Sequence, residues 1–424
     1  MPKTSSPPRT TARAAWLIGP ALVAGVAYLD PGNVASNMTA GAAYGYLLVW
    51  VVVLGNVMAW LIQYLSAKLG IVTGRSLPEV LGDRIRRPWA RRAYWLQAEL
   101  VAMATDIAEV IGGAVALNLL FGIPLLWGGA ITGAVSIALL LLQSRRGPKT
   151  FEFVVIGLVA IIAIGFTFGV FIAPPEPGAI VGGLVPRFED TGSVLLAASI
   201  LGATIMPHAI YAHSALARDR FAPADPGSRT PAPLEQLRGI STTRLLRATK
   251  WDVSIAMLIA GTVNLCILLL AAANLAGVDG TDTLEGAYAA LQSGIGPAVA
   301  TLFAVGLLAS GLASTSVGAY AGAEIMHGLL RVRIPLLARR LVTLVPALVL
   351  LGLGVDPTLA LVLSQVVLSF GIPFALIPLV TLTAQRRTLG AHRNRVLTTA
   401  AGIAASVFLI ALNGVLLVLV ITGA

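Results

Sequence analysis

Asp30-Pro31-Gly32-Asn33 lies inside the first long apolar stretch of the chain, where a membrane helix ought to continue. Upstream runs Trp16 to Leu29, almost wholly apolar, and the stretch resumes at Val34. Proline removes a backbone donor, glycine loosens the chain and aspartate brings a charge. A charge at mid-bilayer depth costs roughly 2.5–3.5 kcal/mol on insertion scales. Broken backbone at that depth is tolerated only where it lines a protected cavity, and there it marks a binding site. The chain therefore reads as a transporter.

The membrane reading rests on composition. Of 424 residues, 57% are hydrophobic and only 11% are charged, against about 25% charged in soluble domains. Eleven apolar segments are long enough to span, near 14–40, 43–69, 93–121, 124–142, 151–174, 193–217, 251–276, 294–328, 338–354, 357–384 and 396–421. With a cytoplasmic N-terminus, 28 of the 29 basic residues fall in inside segments and Arg187 alone lies outside. This is the positive-inside pattern, so the net charge of +10 reports topology and not a nucleic-acid partner. Cys266, the single cysteine, excludes a disulfide framework and a thiolate metal cluster. The first 13 residues read as a disordered cytoplasmic tail and 14–424 as one transmembrane domain. Its longest loop, roughly 218–250, faces inside.

Segment six carries a second interruption, Ala203-Thr204-Ile205-Met206-Pro207-His208. Segments one and six stand five spans apart, and broken segments in corresponding positions indicate inverted repeats with a site at their interface. The expected fold is all-α and leucine-transporter-like. Repeat one covers about 14–174, repeat two about 193–384, and an eleventh helix follows at about 396–421, with helices 1 and 6 discontinuous.

Together the two breaks offer the Asp30 carboxylate, the Asn33 amide oxygen, the Met206 thioether and the backbone carbonyls that unwinding frees, those of Ala27 and Ala203 foremost. A carboxylate with neutral oxygens suits a divalent cation, and the sulfur selects Mn, Fe, Co or Cd over Mg or Ca. Asp106 and Glu109, three apart, share a face of helix 3, and Glu99 lies two turns back on nearly the same stripe. Three acids on one membrane helix mark a polar path and commonly a proton relay. His208 is a candidate for proton handling, whereas His213, five residues on, points to another face and reads as structural.

Across nearly its whole length the chain resembles the Nramp (natural resistance-associated macrophage protein) divalent-metal transporters. The resemblance is carried by Asp30 to Asn33, Met206 to His208, Asn56 with Leu61 to Gly70, Thr105 to Glu109, and Ser364-Gln365. It implies proton-coupled import of Mn2+ or Fe2+ and a ligand set of Asp30, Asn33, Met206, Ala27 and Ala203, with Gln365 joining when the site closes. It also implies that Glu99 meets Arg339 and Arg340, and Asn56 is grouped with this proton pathway. In helix 8 the chain departs from the family pattern at Leu312, Ala323 and His327, which bears on gating or proton stoichiometry.

The expectation is a plasma-membrane importer of transition-metal dications and protons, working as a monomer in the bilayer. It has no permanent cofactor and an extracytoplasmic C-terminus. A sodium-coupled amino-acid carrier of the same architecture is the alternative. A metalloenzyme is set aside, because the chain has no His-Glu-x-x-His, paired catalytic aspartates or nucleophile elbow.

Overall fold

The computed structural model describes residues 19–146, 148–221, 241–332 and 335–422. The expected tail at 1–13 and most of the loop at 218–250 lie outside them. The described elements are helical. Span 1 is α1 (Pro20–Gly25), a 3-10 turn (Val26–Leu29) and α2 (Pro31–Tyr44); span 2 is α3 (Val49–Thr73). After the short α4 (Leu77–Arg84), spans 3, 4 and 5 are α5 (Pro88–Phe121), α6 (Leu125–Arg146) and α7 (Pro148–Ile172). The short α8 (Pro177–Gly182) precedes span 6, formed by α9 (Thr191–Thr204) and α10 (Pro207–Phe221). Span 7 is α11 (Thr242–Asn274), and α12 (Leu284–Gly294) leads into span 8, α13 (Pro297–Leu330). Spans 9, 10 and 11 are α14 (Leu336–Gly352), α15 (Pro357–Ala384) and, beyond α16 (Arg386–Leu389), α17 (Val396–Thr422).

Seven stretches, the α9–α10 pair among them, have the length and apolarity to cross a bilayer. Three apolar helices are shorter: Pro20–Leu29, Leu125–Leu139 and Ile156–Ile172. With α14 these account for the eleven expected crossings. Their outer faces suit lipid and not water, since Phe171, Leu397 and Ile421 are exposed among many similar residues. The helices begin where proline can sit without costing a bond, as at Pro31, Pro88, Pro297 and Pro357. Two of them, α3 and α5, end on left-handed glycines, Gly74 and Gly122.

The packing repeats when five spans are added to each partner. The second half of span 1, α2, lies on span 7, and the second half of span 6, α10, lies on span 2. Span 3 packs on span 10 as span 8 packs on span 5, and span 4 meets its own counterpart, span 9. This exchange is the signature of the five-plus-five repeat. It brings both breaks to the centre, between α5, α13 and α15.

Candidate ion-binding site

At the first break Asp30 is extended (φ −74°, ψ 166°) and caps α2, its Oδ1 accepting from the Asn33 amide at 2.7 Å and from Asn33 Nδ2 at 3.0 Å. Asn33 Nδ2 also donates to the Ala203 carbonyl at 3.0 Å, so the two breaks touch directly. At the second break α9 ends at Thr204, Ile205 leaves helical geometry, and α10 starts at Pro207. Met206 sits between them, fully buried. Gln365 on α15 donates from Nε2 to Asp30 Oδ2 at 3.3 Å. The approach needs Gly32, where a Cβ would collide with the Gln365 side chain, and Gly202, where it would collide with the Gln365 carbonyl. Ala27 is buried in the 3-10 turn before the break.

Asp30, Asn33 and Gln365 have no measurable exposure. Asn33 Oδ1 and Gln365 Oε1 are nevertheless buried without a hydrogen-bond partner, a costly state unless something else fills it. Among the described residues no three His, Cys, Asp or Glu side chains converge as a metal cluster. The donor set here is a single carboxylate with neutral oxygens. The C-terminal ends of α9 and of the 3-10 turn add their carbonyl dipoles, the polarity a cation favours.

The acid row on α5 faces α13 and α14. Arg340 Nη1 lies 2.9 Å from Asp106 and 3.6 Å from Glu109, while its Nε donates to Ser136 at 2.8 Å. Arg339 pairs with Glu99 at 2.9 Å and with Asp106 at 3.5 Å. Glu99 therefore meets Arg339 but not Arg340, contrary to the paired contact expected, because Arg340 turns inward to the deeper acids. Neither oxygen of Glu109 has a hydrogen-bond partner. Gly318 and Gly322 on α13 clear the space: a Cβ at Gly318 would lie 3.1 Å from Glu109, and one at Gly322 would strike the Arg339 guanidinium. His208, buried just past the second break, shares a 3.2 Å hydrogen bond between Nδ1 and Thr105, the neighbour of Asp106. It joins the second break to the acid row. His213 instead bonds Gln63 at 2.7 Å, and Gln63 donates to the Tyr28 hydroxyl, the packed role expected of it. Asn56 does not join the acids. It stands on α3 against Gly261 of α11, because α3 packs chiefly on α9, α10 and α11.

Three supporting residues escape a reading of the sequence. Asn264 donates to the Tyr28 carbonyl at 2.9 Å and Ser310 to the Leu29 carbonyl, fixing the turn before Asp30. Asp252 accepts from the Gly19 and Ala21 amides at 3.1 and 2.9 Å, capping α1 from another helix. Its one signal was an acid at the start of an apolar run, where a solvated carboxylate is the ordinary outcome.

Two clasps close the ends. On the basic side Arg218 is buried against Glu79 (2.7 Å), Asp219 (2.8 Å) and Glu324 (3.1 Å). On the other side the Tyr44 hydroxyl donates to Asp190 at 2.6 Å and, with the Ser193 amide, holds that carboxyl below the usual range.

Eleven apolar spans, inverted repeats and a buried, cation-suited donor set at two facing helix breaks define a multi-pass membrane transporter of the leucine-transporter-like fold. The family model for "Natural resistance-associated macrophage protein-like" proteins matches residues 21–419, and the chain belongs to this Nramp family, whose members are transporters and not enzymes. A relative from Mycobacterium tuberculosis, called divalent metal cation transporter MntH, is 58% identical over 416 residues, covering 98% of this chain and 94% of its own. The crystal structure of the Eremococcus coleocola manganese transporter, solved with an aromatic bis-isothiourea compound, superposes with a TM-score of 0.81 at 31% identity, covering 96% of this chain and 88% of that one. MhsT in complex with L-phenylalanine shares the fold alone, with a TM-score of 0.58 at 14% identity and coverage of 97% and 99%.

Proposed function

We propose that the protein imports Mn2+, and Fe2+ with it, together with protons, by alternating access across the plasma membrane. The two unpartnered amide oxygens beside the Asp30 carboxylate carry this reading. With Met206 and the Ala27 and Ala203 carbonyls they form a mixed hard and soft donor set suited to a transition-metal dication. The Ala203 carbonyl is engaged by Asn33 and must be shared or released on binding. The names of the relatives, a divalent metal cation transporter and a manganese transporter, agree.

Proton coupling finds its groups in the row linked to the site through His208 and Thr105. Glu99, Asp106 and Glu109 oppose only Arg339 and Arg340 among the pairs described, which leaves one surplus negative charge when all are ionised. A proton held there balances the cluster. Metal binding favours ionised Asp30 and so releases a proton toward this row. An inside-negative potential adds roughly 2.3 kcal/mol per charge per 100 mV. Orientation follows the basic surplus, with the N-terminus inside and the C-terminus outside, and each monomer holds a complete site.

The amino-acid carrier is disfavoured by one observation. Asp30 occupies the N-terminus of α2 and takes the Asn33 amide, where such carriers offer free amides to a substrate carboxylate. Proteoliposome flux tests the proposal. Mn2+ entry accelerated by an acidic exterior, and abolished in Asp30→Asn, is expected; sodium-driven amino-acid entry without Mn2+ flux would overturn it.

A further inference from the structure

On the basic side, α3, the start of α11 and the turn at Gly390–His392 line an open cavity of about 600 Å³ that includes no residue of either break. Arg247, Lys250 and His392 line it, beside Tyr64, Thr243 and Trp251. Neither Arg247 nor Lys250 has a carboxylate partner among the described residues; Lys250 Nζ instead lies 5.8 Å from the centre of the Trp60 ring. The Trp60 indole is held by Ser254 at 2.9 Å, which fixes that platform. The cavity thus gathers uncompensated positive charge with the hydroxyls of Tyr64, Thr243 and Ser254, a setting for a phosphate.

From its edge an apolar stripe continues along α11. Trp251, Ile255 and Leu258 are 66%, 39% and 69% exposed, and their spacing puts them on one helix face. A free anion has no use for such a stripe. We propose that this is a binding site for an anionic phospholipid of the bilayer leaflet on the basic side. Its phosphate sits between Arg247 and Lys250, its glycerol end meets Tyr64 and Thr243, and an acyl chain lies along Trp251, Ile255 and Leu258. Basic pockets between membrane helices take anionic headgroups in this way. The next residue on the helix, Asp252, is buried as the cap of α1, so the lipid braces the element that anchors the first half-helix. The inference stands on the membrane fold and is independent of which ion is carried.

Native mass spectrometry of the purified full chain, titrated with phosphatidylglycerol or phosphatidylcholine of equal chain length, tests it. Preferential retention of phosphatidylglycerol is expected, reduced roughly thirtyfold in the double variant Arg247→Gln/Lys250→Gln, about fivefold for each cation. Leu258→Asn provides an independent arm and should weaken retention while leaving the headgroup preference in place. Size-exclusion profiles and lipid-free melting confirm that the variants fold. Equal retention of the two lipids, or an unchanged double variant, overturns the proposal. Displacement of the lipid by millimolar inorganic phosphate, with Leu258→Asn silent, would assign the cavity to a free anion and overturn it as well.

Discussion

In the proposed site, Met206 is the side chain expected to separate transition metals from the far more abundant Mg2+ and Ca2+. Carboxylate and amide oxygens serve all of these ions, and only the thioether prefers the softer ones. Because Met206 is fully buried, its removal also opens a cavity, at a cost of about 2–5 kcal/mol in stability. Two substitutions separate the roles. Met206→Leu keeps most of the volume and deletes the sulfur, whereas Met206→Ala deletes both. Both should retain Mn2+ uptake with about tenfold weaker affinity, about 1.4 kcal/mol, and both should admit Ca2+ in competition flux assays. If only Met206→Ala changes discrimination, packing and not ligation is responsible. Asp30, Asn33 and Met206 were legible because polar or sulfur-bearing groups beside proline stand out in an apolar run. Gln365 was legible only through resemblance, since nothing local distinguishes it. Asn264 and Ser310 were not legible at all, because they bind backbone carbonyls 236 and 281 residues away.

The helix breaks govern the element scale, and they are finished by other helices. Asp30 caps α2 from within its own chain segment, which the sequence displays, but α1 receives its cap from Asp252 on α11. Pro20 has no amide, so the Gly19 and Ala21 N–H groups are the first donors of that half-helix, and one carboxylate takes both. Asp252→Ala removes this anchor. Cap losses cost about 1 kcal/mol, so amide exchange across 19–25 should rise roughly fivefold by hydrogen–deuterium exchange, with α5 and α13 unchanged. A uniform rise over the bundle would show that Asp252 supports the whole fold and not the half-helix. Element order and the two discontinuities followed from apolar run lengths and proline placement. The short helices α8 and α12 did not, because each is too short to register as a span.

For the whole molecule, the symmetric skeleton contrasts with asymmetric closure. α9 packs broadly on α15, while among the described residues α1 meets α7 only slightly. The described residues of the first half-helix are held by Asp252. The Tyr44–Asp190 clasp does not answer to the acid that would drive import. Asp190 has a depressed pKa, so its bond to Tyr44 is fully present above the usual carboxylate value near 3.9 and is lost only as pH falls through the lower folded value. The cluster on the basic side is the other contact to test. Among the described ion pairs Arg218 is the cation shared by Glu79, Asp219 and Glu324, and Arg218→Gln leaves these carboxylates without it. Removing one partner of a buried ion pair costs about 3–5 kcal/mol, enough to move a closed state to a mostly open one. A cysteine replacing the buried Val23 on α1, in a Cys266→Ser background, reports the change. Its alkylation by an impermeant reagent from the basic side should rise at least tenfold, roughly 1.4 kcal/mol, and access from the other side should fall. Equal labelling with and without Arg218 would make the cluster a fixed strut, and the movable gate would then have to lie at α15 and Gln365.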